Sequence, residues 1–217
     1  GYRPGGPNVV PPGAGADFPR QFNADTLISY EAGVRAETAD RSFAIDASVF
    51  YLDWKDIQVS VTYQVPGLGA FTGDGNGRKA KSQGAEVTAT LRPVSGFDVI
   101  ASIAYTDAKL TDDLPGIDIG TGSLVPPGYD GDRLPYAPEW SATISADYQW
   151  TLSGGAEAFV GDNVHLMSDQ ATDFDPTYRM VLGRRQSIDG YATVGLRAGV
   201  DMDMTSGTYA DHLGEAI

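Results

Sequence analysis

The stretch Tyr191-Ala192-Thr193-Val194-Gly195-Leu196-Arg197-Ala198-Gly199-Val200-Asp201-Met202 alternates between two kinds of residue. One parity holds Ala192, Val194, Leu196, Ala198, Val200 and Met202, and the other Tyr191, Thr193, Gly195, Arg197, Gly199 and Asp201. Successive side chains of a β-strand point to opposite sides, so a period of two predicts a strand with one apolar and one polar face. The pattern recurs where Trp140, Ala142, Ile144, Ala146, Tyr148 and Trp150 alternate with Ser141, Thr143, Ser145, Asp147 and Gln149. Segment 27–38 sets Ile28, Tyr30, Ala32, Val34 and Ala36 against Ser29, Glu31, Gly33, Arg35 and Glu37. Segment 42–54 places Phe43, Ile45, Ala47, Val49 and Tyr51 together.

These repeats predict an all-β chain, an antiparallel up-and-down meander of about seven long strands near 27–38, 42–54, 80–93, 97–109, 140–152, 156–165 and 191–203. Tight hairpin turns are expected at 39–41, 94–96 and 153–155, around Ala39-Asp40-Arg41, Ser95-Gly96 and Ser153-Gly154-Gly155. The alternate connections, roughly 55–79, 110–139 and 166–190, are long and polar. Short turns at one end and long loops at the other are the layout of an outer-membrane barrel, and strands of about 11 residues match a tilted crossing of the hydrocarbon layer. On this reading Val34, Ile45, Val87, Ile103, Ile144, Leu196 and Val200 face lipid, and Glu86, Asp147 and Arg197 face the opposite side. Aromatics are expected to form two interface girdles, with Tyr30, Tyr51, Trp54, Tyr105, Trp140 and Tyr191 at the long-loop ends and Phe43, Phe97, Tyr148 and Trp150 at the short-turn ends.

Composition agrees. The 217 residues are 41% hydrophobic and 10% aromatic, with 29 acidic and 15 basic side chains for a net charge of -14. Twenty-seven glycines and 13 prolines argue against a helical bundle, while 11 tyrosines and 8 phenylalanines argue against a disordered tail. The acidic balance argues against nucleic acid as a partner, because phosphate binding needs clustered lysine and arginine. The absence of cysteine excludes disulfides and cysteine metal sites. No apolar run approaches the about 20 residues of a membrane helix, but a membrane strand needs only about 9 to 11. The amino end has neither the basic start nor the apolar run of a signal peptide, and reads as the middle of something longer.

Ser29-Tyr30-Glu31-Ala32-Gly33-Val34-Arg35, the turn, and Ala47-Ser48-Val49-Phe50-Tyr51-Leu52-Asp53-Trp54-Lys55-Asp56-Ile57-Gln58-Val59 together resemble paired strands of TonB-dependent outer-membrane receptors. Gly1-Tyr2-Arg3-Pro4-Gly5-Gly6-Pro7-Asn8 looks like the loop before that pair, Gly84-Ala85-Glu86-Val87 like the start of the next strand, and Leu134-Pro135-Tyr136-Ala137-Pro138 like the approach to a later one. The resemblance runs from residue 1 to about 203 and implies an incomplete segment of a 22-stranded transmembrane β-barrel, near its carboxyl end. Residues 1–203 are read as barrel segment and 204–217 as a divergent or truncated tail, where Ile217 stands in place of the family's terminal aromatic. No plug domain or TonB box is recognisable in the chain.

Candidate sites are few. Gly73-Asp74-Gly75-Asn76-Gly77 spaces oxygen ligands like a calcium loop, but no closing glutamate follows and a flexible loop is the better expectation. His165 and His212, the only histidines, fit no catalytic or metal spacing. Asp107, Asp112, Asp113, Asp169, Asp173 and Asp175 are expected to be solvated loop charges that could attract a cation or ferric complex. Glu31, Arg35, Asp46, Glu86, Arg92, Asp147 and Arg197 fall on the polar parity, where cross-strand ion pairing is expected. No catalytic residue, metal site or cofactor is assigned, and nothing suggests an enzyme.

The resemblance implies a bacterial outer-membrane transporter that imports a scarce nutrient, most plausibly a ferric siderophore. Its partners would be outer-membrane lipid, the remaining barrel strands, a plug domain, the TonB complex acting through that plug, and a ferric chelate. The alternative from another class is a secreted soluble β-sheet carbohydrate-binding module, which would need a second layer to cover the apolar faces.

Overall fold

The structure, a computed structural model, describes residues 1–16, 18–65, 67–118 and 123–201. The strands run in the order β1 (Tyr2–Arg3), β2 (Gly6–Pro7), β3 (Gln21–Phe22), β4 (Asp25–Glu37), β5 (Phe43–Lys55), β6 (Gln58–Val65), β7 (Gly69–Asn76), β8 (Lys79–Val94) and β9 (Phe97–Leu110). They continue with β10 (Ile117–Asp118), β11 (Leu124–Val125), β12 (Trp140–Thr151), β13 (Glu157–Met167), β14 (Gln170–Ala171), β15 (Ser187–Ile188) and β16 (Tyr191–Asp201), with one helix, α1 (Pro176–Leu182), before β15. An antiparallel sheet of 8 strands, ordered β1-β4-β5-β8-β9-β12-β13-β16, contains all seven long strands expected from the alternation. The expected tail, 204–217, and His212 lie outside the described residues.

Register carries the alternation across the whole sheet. Val34, Ala47, Val87, Ile103, Ala142, Leu166 and Ala192 form one continuous cross-strand row, each opposite the next. The neighbouring row is Arg35, Asp46, Thr88, Ser102, Thr143, His165 and Thr193. Slipping one strand by one residue would exchange its apolar and polar sets, so each pairing enforces the next. All seven residues expected on the lipid side share the first face, and Glu86, Asp147 and Arg197 share the second. No second layer covers the apolar face among the described residues, where Val34 is 61% and Leu196 83% exposed.

The apolar face ends at rings and then at charges. Phe97 packs edge-on against Tyr148 with centroids 6.1 Å apart, and Tyr148 stacks on Trp150 at 5.4 Å, marking the short-turn end. Tyr105 and Trp140, 4.8 Å apart, mark the other. Eight residues of β9 separate Phe97 from Tyr105, which at about 3.3 Å per residue and a tilt of about 40° spans about 20 Å, close to the apolar band of an outer-membrane barrel. Beyond it the same face carries the opposed residues Asp53, Lys81 and Lys109.

Two placements depart from the girdle expectation. Trp54 and Tyr191 were expected in the long-loop girdle, but pairing of Trp54 with Leu27 and of Tyr191 with Met167 puts both on the polar-parity face. Trp54 shares its parity with Asp46 and Phe50, and its ring is drawn inward by a hydrogen bond to Asp25. Asp162 breaks the apolar face, standing opposite Ala146 and Leu196.

The turns use the expected chemistry. Arg41, Gly96, Gly154 and Gly155 adopt positive φ in the three short connections. In the first, Asp40 accepts hydrogen bonds from the Ser42 N–H (3.1 Å) and Oγ (2.8 Å). The long connections are not irregular loops: β6 and β7 form their own hairpin, and α1 begins on Asp175, whose carboxylate accepts from the Tyr178 N–H at 3.1 Å. Pro176 opens that helix and Gly183, at φ 69°, closes it.

Candidate functional site: a folded cap over the inner mouth

The buried core lies under the long connections and not between the strands. At the long-loop end the inner face becomes apolar, with Leu27, Trp54, Ala80 and Leu110 opposite one another in a row. Ile57 and, from β6, Val59, Val61 and Val65, with Phe18, Leu114, Ile117, Leu134 and Phe174, close over this row as one cluster. Phe174 is fully buried. The cap can exist only because these loops carry apolar residues that alternate strand-fashion in β6, burying about 25 cal/mol for each Å² removed from water.

Polar staples fix the cap to the sheet. The buried carboxylate of Asp25 accepts from Arg3 Nε (2.9 Å), Trp54 Nε1 (2.9 Å) and the Gln58 N–H (3.3 Å), joining three segments far apart in sequence. The Arg3 guanidinium lies 4.8 Å from the Trp54 ring centroid. On the other side, Arg185 sits 4.2 Å from the Phe174 ring and donates to the carbonyls of Arg133 (2.5 Å) and Thr172 (2.6 Å). Burial holds its guanidinium below the ordinary arginine value. Arg179 pairs with Asp132 at 2.7 Å, and Arg133 with Asp169 at 2.9 Å.

The Gly73-Asp74-Gly75-Asn76-Gly77 segment, expected as a flexible loop, is largely strand β7, and its oxygens are already engaged. Asp74 accepts from Ser60 Oγ at 2.7 Å, and Asn76 donates to the carbonyls of Asn23 and Asp56 at 3.0 and 2.8 Å. Among the described residues no three acidic, histidine or cysteine side chains come together as a metal site. Asp173 accepts from Thr62 (3.3 Å), Asp113 from the Asp130 N–H (2.8 Å) and Asp175 caps α1, so these carboxylates are built into the cap and not simply solvated. His165 is held by Thr143, Oγ1 to Nδ1 3.0 Å, in the inner-face polar row. Of the inner-face charges, Arg35 pairs with Asp46, Arg92 with Asp98 and Asp147 with Arg197, as the cross-strand reading expects.

Sequence reasoning assigned no role to Tyr136. This tyrosine has φ 56°, is 61% exposed, and donates its N–H to the Ala171 carbonyl at 2.8 Å. Left-handed backbone at a non-glycine residue costs about 1–3 kcal/mol and is retained where the surroundings over-determine it. Its neighbours Pro135 and Pro138 were the available signal. Tyr136 lines a cleft of about 260 Å³ between the end of β5, the start of β6 and the 134–136 turn, together with Trp54, Ile57, Val59, Pro135 and Asp173.

A one-sided sheet with an apolar outer band and a polar inner face under a folded loop cap has the layout of the wall and mouth of a membrane barrel. Comparison with known proteins agrees. The profile of the TonB dependent receptor-like β-barrel family matches residues 1–210. The pesticin receptors of Yersinia enterocolitica and Yersinia pestis are each 32% identical over 154 residues, covering 68% of this chain and 19% of the relative. The crystal structure of the ferric yersiniabactin uptake receptor FyuA from Yersinia pestis superposes with a TM-score of 0.63 at 26% identity, over 90% of this chain and 25% of that one. The siderophore receptor PiuA from Acinetobacter baumannii shares the fold, with a TM-score of 0.59 at 16% identity over 85% of this chain and 23% of that one. The soluble carbohydrate-binding alternative finds no support. The chain spans about a fifth of the length of the curated relatives it matches, and it belongs to the TonB-dependent receptor β-barrel family of the bacterial outer membrane.

Proposed function

We propose that this chain forms part of the wall and extracellular mouth of an outer-membrane transporter that imports a ferric siderophore through a 22-stranded barrel. The observation that carries it is the pairing of a lipid-facing band with a capped, polar inner face, in a chain 32% identical to pesticin receptors and 26% identical to a ferric yersiniabactin receptor. The inner-face ion pairs tie strands of the sheet into a rigid wall, and the cap presents the ligand-contacting surface. Lipid, the other barrel strands, a plug domain, and the TonB complex acting through that plug are the remaining partners. The receptor to which the chain contributes moves a ligand and transforms none.

Uptake is a property of the whole receptor, since an open sheet in lipid leaves edge donors and acceptors unsatisfied at several kcal/mol each. The test is uptake of radiolabelled iron by cells whose receptor gene is deleted, then complemented with the complete receptor or with one lacking the β6–β7 hairpin. Energy-dependent uptake restored only by the complete receptor supports the proposal. Equal uptake in deleted and complemented cells across a panel of ferric chelates sinks it.

A further inference from the structure

We propose that Lys55, Lys79, Lys81 and Lys109 form a site on the lipid-facing wall for the phosphomonoester headgroup of an outer-leaflet lipid. These are the four lysines of a chain whose net charge is -14. Register gathers all of them on one face, in two adjacent rows at the long-loop end. One row is Ile28, Asp53, Lys81 and Lys109, and the next toward the loops is Thr26, Lys55 and Lys79. The row on the other side holds Tyr30, Tyr51, Gln83 and Asp107, at the edge of the apolar band. The lysines therefore begin about 7 Å along the strand beyond the last rings, at the depth of lipid headgroups. Long loops lie on the extracellular side, which makes this the outer leaflet. Strands β5, β8 and β9 are interior to the sheet, so further barrel strands pairing at its edges leave the patch uncovered.

The arrangement is unfavourable without a bound anion. Lys55 stands directly opposite Lys79, and Lys81 directly opposite Lys109. Cβ atoms so placed are about 4.5–5.5 Å apart, and like charges there repel and weaken the sheet. The chain's own carboxylates relieve only part of this. Asp107 pairs with Lys109 at 2.7 Å. Among the described residues Lys55, Lys79 and Lys81 form no ion pair, although Asp53 stands opposite Lys81. Arg133, bridged to Lys109 through the backbone, is committed to Asp169 at 2.9 Å and Glu139 at 3.8 Å.

The three rows thus hold four ammonium groups and two carboxylates. An excess of two positive charges matches a phosphomonoester, with about 1.5 to 2 negative charges near neutral pH, better than the single charge of a phosphodiester. The flexible stems let the ammonium groups converge on one phosphate while their methylenes lie along apolar surface.

The test uses the complete receptor in detergent, with bound lipid counted by native mass spectrometry. Dioctanoyl phosphatidic acid supplies the monoester, dioctanoyl phosphatidylglycerol the diester, dioctanoyl phosphatidylcholine the zwitterion, and inorganic phosphate the soluble anion. Phosphatidic acid should bind at least about fivefold tighter than phosphatidylglycerol, and the other two more weakly than either. Lys79→Gln combined with Lys81→Gln should weaken phosphatidic acid binding about 10- to 25-fold, at about fivefold for each lysine near a membrane surface. Arg41→Gln combined with Arg184→Gln, an equal loss of charge at exposed positions outside these rows, should leave it within about twofold. Heat-modifiable migration on gels confirms that each variant still forms a barrel.

Stability gives a second readout. In phosphatidylcholine vesicles Lys79→Gln removes the repulsion with Lys55 and should leave the urea midpoint unchanged or raised. Adding phosphatidic acid to the vesicles should raise the midpoint of the unsubstituted receptor more than that of the variant. Phosphatidylglycerol binding as tight as phosphatidic acid overturns the monoester assignment, and inorganic phosphate binding as tight overturns the lipid one. A folded Lys79→Gln/Lys81→Gln receptor with unchanged phosphatidic acid affinity overturns the site. Each of these results leaves ligand import intact, because the patch lies on the outer wall and not on the polar inner face.

Discussion

Arg197 donates to Asp147 through Nε at 3.1 Å and Nη2 at 2.5 Å, across a strand to which neither residue belongs. Asp147 lies on β12 and Arg197 on β16, and the intervening residue of β13 opposite both is Gly161. A Cβ at Gly161 would stand 2.0 Å from Asp147 Oδ1 and 2.9 Å from Arg197 Nε, so the bridge exists because that position has no side chain. On its other side Asp147 faces Asp98, which is itself paired with Arg92 at 2.7 Å. Two opposed carboxylates would repel, and each is neutralised by its own arginine.

A double-mutant cycle on Asp147→Asn and Arg197→Gln should give a coupling of about 0.5–1 kcal/mol, the range of solvent-accessible ion pairs. Repeated in a Gly161→Val background it should fall to near zero. Undiminished coupling there would mean that the bridge does not pass over Gly161. The readout is urea unfolding of the complete barrel in lipid vesicles.

Asp162 stands on the lipid-facing side between Ala146 and Leu196, one row inside the Tyr148 girdle. Carboxylates on the lipid face cost less than the about 2–4 kcal/mol of lysine or arginine at the midplane, and less again near an interface. Replacing Asp162 by Leu should therefore stabilise the barrel in vesicles by about 1 kcal/mol. A destabilised variant would show that this carboxylate does not face hydrocarbon.

Gly84 on β8 lies opposite Phe50, whose ring covers it, and a Cβ there would stand 2.0 Å from the Tyr105 carbonyl and 2.7 Å from Phe50 Cζ. A side-chain end can rotate away, but a ladder carbonyl cannot. Gly84→Ala should cost about 1–3 kcal/mol, as overpacking does. Gly195→Ala, whose Cβ would approach only the Asn163 carbonyl at 3.9 Å, should cost less than about 0.5 kcal/mol. Equal effects of the two substitutions on unfolding midpoints would contradict the close approach at Gly84.

The Asp40 carboxyl, in the turn between β4 and β5, is held at about 2 by hydrogen bonds from the Thr38 hydroxyl and from the Ser42 N–H and hydroxyl. Its folded value lies below the ordinary 3.8, so its support for the turn is full above 3.8 and is lost as pH falls through about 2. Amide exchange at Ser42 and Phe43 should accelerate over that window in the native receptor. In Asp40→Ala it should be fast and flat across the same window, and a matching pH dependence in the variant would assign the effect elsewhere.

Strand positions, the three tight turns and the division into two faces were legible because each follows from local chemistry. A period of two needs no knowledge of the partner strand, and Ser95-Gly96 or Gly154-Gly155 supplies positive φ whatever it connects. The family motifs around Tyr30-Glu31 and Phe50-Tyr51 were legible for the same reason. The helix caps of α1, Asp175-Pro176 and Gly183, were also present in the sequence, but a helix of seven residues is too short for its periodicity to stand out.

The sequence by itself determined seven amphipathic strands, their hairpins and the side that meets lipid, since burial of an apolar parity and exposure of a polar one are decided residue by residue. Only the tertiary structure decided that Trp54 turns inward to Asp25, that Asp147 reaches Arg197 over Gly161, and that loop residues from four distant segments form the buried core with Phe174 at its centre. Those outcomes depend on which residues stand opposite one another after pairing. Register couples positions 50 or more residues apart, such as Asp147 and Arg197, and alternation within any one strand carries no record of that separation.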